Sequence, residues 1–391
     1  MSVLRFTPNS SPTIGVEIEL QLVDAEDLSL CSSIEEVLAV MPPQLHGSVK
    51  PELMQCYVEI NTRICRTVRE AGDDLREKLR EVEQAIDPLG IRLYWAATHP
   101  FSSWRHQTIT ASDRYYRLVA LMEDVARRLV TFGLHVHIGV DTGDKAIMIC
   151  DRMQQHLPLL LALSANSPFW EGRNTGLKSN RSKIMEGLPT AGLPYQMRNW
   201  SEYVWLVNHL IDTGFINSIR EIWWDIRPQH QFGTVEVRVC DVPPCLRHVL
   251  AITALIQCLV HTISIEIDEG TFLGDFHPMM VEQNKWRATR YGADASLVSS
   301  RDYQPRSVQT IVDELVGQLT PAAIELGCLP ELLSVRELPA SSGARRQLEI
   351  FDATNSRREV VRQMLEQGSR VPELTQDDTG TGSRWPGTKT V

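Results

Sequence analysis

Residues 13–24 read TIGVEIELQLVD, and the alternation within them indicates a β-strand. Valine, isoleucine and leucine recur at every second position, as in a strand with one buried face. Glu17 and Glu19 interrupt the run, and side chains two positions apart point to the same face of a strand. Two carboxylates 4 Å apart repel each other by roughly 4 kcal/mol at an effective dielectric constant near 20. The sequence therefore predicts a strand with a carboxylate pair that needs a positive partner.

Three further segments alternate β-branched residues with charged ones: CYVEINTRI (56–64), LHVHIGVD (134–141) and GTVEVRVCDV (233–242). Their charged or polar side chains include Glu59, His135, His137, Glu236 and Arg238. A solvent-facing edge strand explains one such glutamate. It does not explain four segments in which these positions hold Glu, His or Arg and never Lys. We therefore expect these strands to share one functional face.

A divalent cation is the natural partner for this set of carboxylates and imidazoles. No cysteine neighbours the glutamates and no HExxH motif is present, which argues against zinc. Carboxylates with one histidine suit Mg²⁺ or Mn²⁺, which also hold phosphate oxygens. Arg238, two positions after Glu236, would then lie beside the metal, where a guanidinium neutralises a phosphoryl group or a carboxylate.

Composition excludes several classes of protein. The 391 residues carry a formal net charge of −10 and no basic stripe, which argues against a nucleic-acid partner. The N-terminus lacks the apolar core of a secretory signal. The apolar stretch 249–267 contains Gln257, His261 and Glu266, so we expect a buried helix and no membrane span. Eight scattered cysteines without a CxxC pair indicate reduced thiols. Together these features predict a cytoplasmic protein.

The pattern along the chain predicts one α+β domain over residues 1–367, with a helical C-terminal part and a disordered tail at 368–391. Helical patterns cover 68–89, 115–131, 246–267 and 308–366. Residues 166–200 are irregular and rich in Gly, Pro, Trp and Arg, which predicts a functional loop, and we interpret it as a lid. Neither a GxxxxGK[ST] motif nor a GxGxxG turn between a strand and a helix is present. A nucleotide would therefore bind to the sheet and its metal.

From residue 13 to residue 367 the sequence resembles the bacterial carboxylate–amine ligases known as type-2 glutamate–cysteine ligases, which share a fold with glutamine synthetase. Eight ordered motifs carry the resemblance: GVEIELQLVD, VEINT, THPF, HVHIG, SPFWEGRNTGLKSNR, WWDIRP, GTVEVRVCD and NKWRATRYGADA. The resemblance implies an antiparallel sheet that forms an open funnel for ATP and two or three Mg²⁺ ions. It also implies conversion of a substrate carboxylate to an acyl phosphate, which an amine attacks to give an amide, ADP and phosphate.

The resemblance also implies roles for individual residues. Glu17, Glu19, Glu59 and Glu236 match metal ligands of the family, with His137 as the histidine ligand, although His135 lies on the same face and competes for that role. Arg238 matches a phosphate or carboxylate binder. Further anion or nucleotide contacts are predicted at Arg227, Arg181 and Lys183. The family activity joins the γ-carboxyl of L-glutamate to L-cysteine, and a homodimer is expected.

Three alternatives remain at this point. In the first, the same mechanism acts on another amine or another carboxylate, because substrate choice depends on pocket shape. A phosphotransferase of the guanidino-kinase type is hosted by a similar fold. A non-catalytic protein that binds a nucleotide or an amino acid is the third, and the intact set of predicted ligands argues against it.

Overall fold

The computed structural model describes residues 4–271, 276–299 and 302–368. Its strands are Ile14–Asp24 (β1), Val49–Lys50 (β2), Tyr57–Asn61 (β3), Ile91–Tyr94 (β4), Gly133–Gly139 (β5), Phe169–Trp170 (β6), Arg173–Asn174 (β7), Ala191–Gly192 (β8), Trp223–Trp224 (β9), Ile226–Gln229 (β10), Thr234–Asp241 (β11), Ser296–Val298 (β12) and Pro305–Ser307 (β13).

Its α-helices are Ile34–Val40 (α1), Val68–Ile86 (α2), Asp113–Met122 (α3), Asp124–Arg127 (α4), Gly143–Met153 (α5), Leu157–Ser164 (α6), Asn180–Met185 (α7), Trp200–Asp212 (α8), Leu246–Asp268 (α9), Pro278–Tyr291 (α10), Val308–Glu325 (α11), Leu329–Ser334 (α12), Gly343–Thr354 (α13) and Arg357–Gly368 (α14).

A seven-stranded sheet forms the centre of the molecule. Six strands run in the order β10-β11-β5-β1-β3-β2, and β4 pairs with the second half of β1. Every pairing within this sheet is antiparallel. The four segments with alternating charge form its middle, as β11, β5, β1 and β3. The predicted α+β fold with an antiparallel sheet is confirmed.

The register of the sheet brings the charged residues of separate segments opposite one another. Cross-strand partners are Glu17 and His135, Glu19 and Glu59, and Glu236 and His137. Directly opposed side chains on one face lie close enough to interact. The charged face is therefore continuous across four strands.

The other face of the sheet is the hydrophobic core. Val16, Ile18 and Leu20 alternate with the glutamates of β1 and are almost completely buried. Each such side chain contributes about 1.5–3 kcal/mol by leaving water. Helices α2 and α9 pack against this side, and Thr67 caps the start of α2, where its side chain accepts a hydrogen bond from the Glu70 amide. Burial of the apolar face thus fixes which way the glutamates point.

Helix α9 is long and apolar enough to cross a membrane, with a mean hydropathy of 1.8 over its most apolar window. It packs instead against α2, α5, α11, α12 and β5, and most of that window is buried. Gln257 within it donates to the Pro12 carbonyl at 3.0 Å. This helix belongs to the protein core, as the sequence predicts.

The helices follow the predicted patterns with local differences. Predicted helix 115–131 is two helices, α3 and α4, because Glu123 between them has a φ of 47°. The pattern at 68–89 forms α2, followed by one 3₁₀ turn at Asp87–Leu89. All eight cysteines are free thiols. The predicted disordered tail lies outside the described residues except for Gly368, which ends α14.

Candidate functional site

The charged face of the sheet lines one open cavity, which we call the acidic cavity, of about 1150 Å³ counted out to its mouth. It contains every metal ligand predicted from the sequence, together with both histidines: Glu17, Glu19, Glu59, His135, His137 and Glu236. Three of the predicted anion-binding arginines line it as well: Arg181, Arg227 and Arg238. Residues more than 200 positions apart therefore meet in one place.

Glu17 lies between the two histidines. Its carboxylate is 3.3 Å from His135 Nδ1 and 3.4 Å from His137 Nε2. Burial would raise the pKa of Glu17, but hydrogen bonds and charge from His135 and His137 lower it well below its ordinary value. Burial would likewise lower the pKa of His137, whereas the charges of Glu236 and Glu17 raise it. Glu17 is therefore an ionised carboxylate at neutral pH.

Carboxylates crowd together at the β3 end of the cavity. Burial and the charges of Glu17 and Glu19 raise the pKa of Glu59, and Asn61 and Lys50 only partly offset this. Asn61 Nδ2 donates to Glu59 at 2.7 Å, and Lys50 Nζ lies 3.7 Å away. Like charges that face each other in a buried place favour protonation or the binding of a cation. This end of the cavity has more negative charge than the protein itself compensates.

Glu236 lies between two guanidinium groups at the other end. Arg227 Nε donates to its Oε2 at 2.7 Å, and Arg238 Nη1 contacts its Oε1. Burial would raise the pKa of Glu236, but Arg227, Arg238 and His137 lower it far below its ordinary value. Arg227 also donates to the Ile222 carbonyl at 2.6 Å. In this arrangement Arg227 orients Glu236, and Arg238 is the arginine nearer the cavity.

The donor set fits a divalent cation. Glu17, His135 and Glu236 each offer a ligand atom within 4.8 Å of the other two. His137 Nδ1 is 3.0 Å from the Thr234 hydroxyl, so its Nε2 faces the carboxylates, 3.4 Å from Glu17 and 3.9 Å from Glu236. Carboxylate oxygens with imidazole nitrogens suit a cation of this kind. Both histidines reach the same carboxylates, so the choice between them stays open.

Arg181 reaches the cavity from α7, behind β5. It donates to the backbone carbonyls of Arg238 and Val239 at 3.3 and 3.4 Å, and its Nε is buried without a partner. A Cβ on Gly133 would lie 2.3 Å from Arg181 Nη2, so only glycine allows this approach. Asp241 supports the same loop by accepting hydrogen bonds from Ser167 and Ser179 at 2.7 and 2.8 Å.

A buried lysine holds the backbone near Arg238. Lys285 of α10 lies 2.5 Å from Asp225 and 2.9 Å from Glu186. Burial would lower the pKa of Lys285, but Asp225 and Glu186 raise it. The carbonyl of Asp225 accepts the Arg238 amide at 2.8 Å. This contact explains why the NKWRATRYG segment accompanies the strand motifs in the sequence.

Other residues singled out in the sequence lie elsewhere. Lys183 pairs with Glu186 at 2.5 Å and does not line the acidic cavity. His99 is buried, with Nε2 3.0 Å from the Leu28 carbonyl and Nδ1 accepting the Ser102 amide, so it is a structural histidine. Burial raises the pKa of the Cys240 thiol to about 12, which disfavours the thiolate that a nucleophile would need.

The segment 166–200 is only partly available as a lid. Its first part is buried and bonded to Asp241, and Arg181 and Met185 are the residues through which it lines the acidic cavity. Residues 186–200 are mostly partly or fully exposed. A lid role stays a prediction for that second part.

Three charged lining residues were not predicted from the sequence: Glu52, Arg114 and Arg220. Burial and the charges of Glu59 and Glu19 raise the pKa of Glu52 well above its ordinary value. Glu52 precedes β3 in a segment without strand periodicity, so no pattern marks it. Arg114 and Arg220 are exposed residues, and they resemble ordinary surface arginines in the sequence.

Comparison with known proteins agrees with this site. A profile described as glutamate-cysteine ligase family 2 matches residues 13–367. The chain belongs to this family. A relative from Gloeobacter violaceus, named "Putative glutamate--cysteine ligase 2", is 41% identical over 361 residues, which cover 92% of this chain and 97% of the relative. A relative of the same name from Thermobifida fusca is 41% identical over 86% of this chain and 85% of its own length.

Two solved structures share the fold. A glutamate–cysteine ligase from Francisella tularensis, in complex with AMP, superposes with a TM-score of 0.68 at 13% identity over 93% of this chain and 90% of that chain. A bifunctional glutathione synthetase from Pasteurella multocida gives a TM-score of 0.67 at 15% identity over 91% of this chain. This chain spans about half of the Pasteurella protein, at 52% of its length.

Family membership establishes an ATP-dependent ligase that acts on small molecules, and a divalent metal accompanies ATP in such a ligase. The phosphotransferase and non-catalytic alternatives from the sequence are therefore not favoured. Family membership alone does not give the roles of the residues in the acidic cavity or the identity of the two substrates.

Proposed function

We propose that this ligase joins the γ-carboxyl group of L-glutamate to the amino group of L-cysteine, with Mg-ATP as co-substrate. The observation that carries the proposal is the acidic cavity, where glutamates, histidines and arginines of four strands converge on one face. The names of the relatives support the substrate pair. Another amine, or another carboxylate, would use the same groups.

The predicted ligands would hold the cation: Glu17, Glu19, Glu59, Glu236 and one or both of His135 and His137. Glu52 joins this proposal because it faces the same carboxylates. When bound, Mg²⁺ or Mn²⁺ neutralises the triphosphate and polarises the transferred phosphoryl group. The negative charge that the protein leaves uncompensated around Glu59 supports this assignment.

The reaction has two steps. A carboxylate oxygen of glutamate attacks the γ-phosphorus of ATP, and the bond to ADP breaks. The amine nitrogen then attacks the acyl carbon, phosphate leaves, and the nitrogen loses a proton. Arg238 and Arg220 are positioned to bind the anionic groups, since Arg238 borders the cavity and Arg220 is exposed at it.

Exclusion of water matters because an acyl phosphate hydrolyses readily. Apolar side chains border the acidic cavity on two sides, among them Tyr115, Leu118, Trp223 and Phe232. Phe232 is 60% exposed and its ring lies 5.9 Å from the His137 ring. An exposed aromatic side chain at this place would cover bound substrate and lose its own contact with water.

The experiment that tests the proposal measures ADP release by the purified protein with Mg-ATP and L-glutamate, with and without a panel of amines. Cysteine-dependent ADP release, with γ-glutamylcysteine identified by mass, is the expected result. ADP release with a different amine would keep the mechanism and replace the substrate. Absence of ADP release with every pair, by protein that binds Mg-ATP, would contradict the glutamate assignment.

Two further predictions belong to this proposal. A homodimer is expected, and light scattering of the purified protein during size-exclusion chromatography measures its mass directly. A cytoplasmic location is expected, and fractionation of the source cells tests it.

The ADP assay also identifies the metal, when Mg²⁺ is compared with Mn²⁺, with Zn²⁺ and with a metal-free control in EDTA.

A further inference from the structure

A group of arginines and tryptophans lies outside the acidic cavity, and we call it the arginine–tryptophan cluster. Six residues line its own depression: Trp104, Arg105, Arg128, Trp170, Glu171 and Arg173. They come from the 3₁₀ turn Trp104–His106, from the residue after α4, and from the hairpin of β6 and β7. None of the six lines the acidic cavity. The SPFWEGRNTG segment of the sequence contributes three of them.

Both tryptophans are buried, and Trp104 holds two of the arginines. Trp104 is 8% exposed and Trp170 is 9% exposed. The Arg105 guanidinium lies 4.4 Å from the centre of a Trp104 ring, and that of Arg128 lies 5.4 Å from it. Such cation–π contacts hold a guanidinium in place without removing its charge. Two cations are therefore held beside one indole.

The cluster has more positive charge than its acidic neighbours compensate. Its one carboxylate, Glu171, lies 2.7 Å from Arg105 and also accepts the Trp104 amide at 3.0 Å. Arg128 reaches Asp124 only at 3.8 Å. Arg173 is exposed, and within residues 4–271, 276–299 and 302–368 no acidic group forms an ion pair with it. On a chain with a net charge of −10, this local excess is unusual and is not part of a general basic surface.

The backbone brings Arg173 back to this place. Glu171 has a φ of 51° and Gly172 a φ of 73°, so the chain reverses between Trp170 and Arg173, which face each other in the hairpin. The Gly172 amide donates to the Pro100 carbonyl at 3.2 Å and joins the hairpin to the segment before Trp104. The turn residue Glu171 thus fixes the backbone at Trp104 and the side chain of Arg105.

We propose that the arginine–tryptophan cluster is a binding site for the phosphate dianion, free or as the ester group of a small metabolite. Guanidinium groups bind tetrahedral oxyanions with pairs of parallel hydrogen bonds, and stacking on an aromatic ring leaves their N–H edges free. Arg128 and Arg173 supply the uncompensated charge, and Arg105 is held between Trp104 and Glu171. The site is independent of the ligase substrates.

Isothermal titration calorimetry tests the proposal on the full-length protein in EDTA, with inorganic phosphate in one series and glycerol 3-phosphate in another. EDTA removes metal-dependent phosphate binding from the acidic cavity. Arg173→Gln and Arg128→Gln are each expected to weaken binding by about tenfold or more, which is about 1.4 kcal/mol. Arg173→Lys should retain part of the affinity, because it keeps the charge and loses the paired hydrogen bonds.

Two control variants locate the binding. Arg247→Gln removes an exposed arginine that pairs with Glu337 and does not line the cluster, and it should bind phosphate like the wild type. Arg220→Gln changes the acidic cavity instead. Thermal melting of each variant separates loss of binding from loss of folding. Arg173 is exposed, so Arg173→Gln should have the melting temperature of the wild type.

The outcomes are distinct. Loss of binding in Arg173→Gln and Arg128→Gln, with Arg220→Gln and Arg247→Gln unaffected, supports the site. Tighter binding of glycerol 3-phosphate than of phosphate, abolished by the same two variants, supports it and identifies an ester as the ligand. Binding that only Arg220→Gln removes, or absence of phosphate binding in the wild type, overturns the proposal.

Discussion

Buried carboxylates of the same sheet differ in the partners that surround them. Asp241, at the end of β11, is completely buried and accepts hydrogen bonds from the Asn166 amide, Ser167 and Ser179 at 2.7 to 2.9 Å. Burial raises its pKa, and Arg181 and these donors lower it in part. Its oxygens are used by the protein itself, so Asp241 anchors a loop.

The carboxylates of the acidic cavity face one another instead. Glu59 receives one hydrogen bond, from Asn61 at 2.7 Å, while the charges of Glu17 and Glu19 raise its pKa. Glu52 is affected in the same way by Glu59 and Glu19. The difference teaches that the partners of a buried carboxylate, and not its burial, distinguish a structural residue from one that is available to a cation.

The largest effect is expected in the acidic cavity. Replacement Glu17→Gln removes the carboxylate that both histidines contact, so ADP release should fall about a thousandfold, which is about 4 kcal/mol of activation free energy. The matched control is Glu77→Gln, an exposed position of α2, which should keep wild-type turnover. Near-normal turnover of Glu17→Gln would break the assignment of this cavity to the reaction.

The next largest effect is expected in the free energy of unfolding, which should distinguish Asp241 from Glu59. Asp241→Asn leaves donors without an acceptor and should lower the free energy of unfolding by about 3 kcal/mol. Glu59→Gln in EDTA should leave it unchanged or higher, because the amide removes the repulsion from Glu17 and Glu19 and still accepts the hydrogen bond from Asn61. Urea unfolding of both variants measures this. Equal losses in the two would show that both carboxylates are structural.

Lys285 provides a third kind of buried charge, an ammonium held by two carboxylates. Lys285→Met leaves Asp225 and Glu186 without their cation and should cost about 3 kcal/mol of unfolding free energy. Turnover should also fall, since Asp225 holds the Arg238 amide. Lys285→Arg should recover part of both. A stability loss with full turnover would separate this lysine from Arg238.

His99 is expected to affect stability only in acid, and its effect at neutral pH is the smallest of these. Burial lowers the pKa of His99 to about 3, well below that of an exposed histidine. On acidification the unfolded chain therefore takes up a proton at His99 at a higher pH than the folded chain does. This histidine does not affect the free energy of unfolding above about pH 6.5. As the pH falls towards 3, it lowers that free energy by at most about 1.4 kcal/mol per pH unit.

The measurement is the pH dependence of the free energy of unfolding in wild type and His99→Gln, since the carboxylates of both titrate alike. The variant should show a smaller slope between pH 4 and pH 6. The same slope in both proteins would mean that His99 is not the group concerned.

The sequence predicted the strands well because one face of each strand is buried. Period-2 alternation placed Glu17 and Glu19 on one face, and likewise His135 and His137, and the sheet keeps them there. The helix boundary at Glu123 was missed, because a positive φ in a glutamate has no sequence pattern. Glu52 was missed for a similar reason, since it lies in an irregular segment between β2 and β3 and not in a strand.

Alternation alone determined which side chains share a face, and hence that carboxylates, imidazoles and guanidiniums would meet somewhere. Only the tertiary structure decided which of them are free to act. Arg227 and Arg238 both contact Glu236 and line the acidic cavity, but Arg227 also donates to the Ile222 carbonyl, whereas Arg238 has the more exposed side chain. The physical reason is that partners come from distant parts of the chain, as Arg181 does for β11 and Lys285 for Asp225. Periodicity is a local property, whereas the compensation of a buried charge depends on every element packed around it.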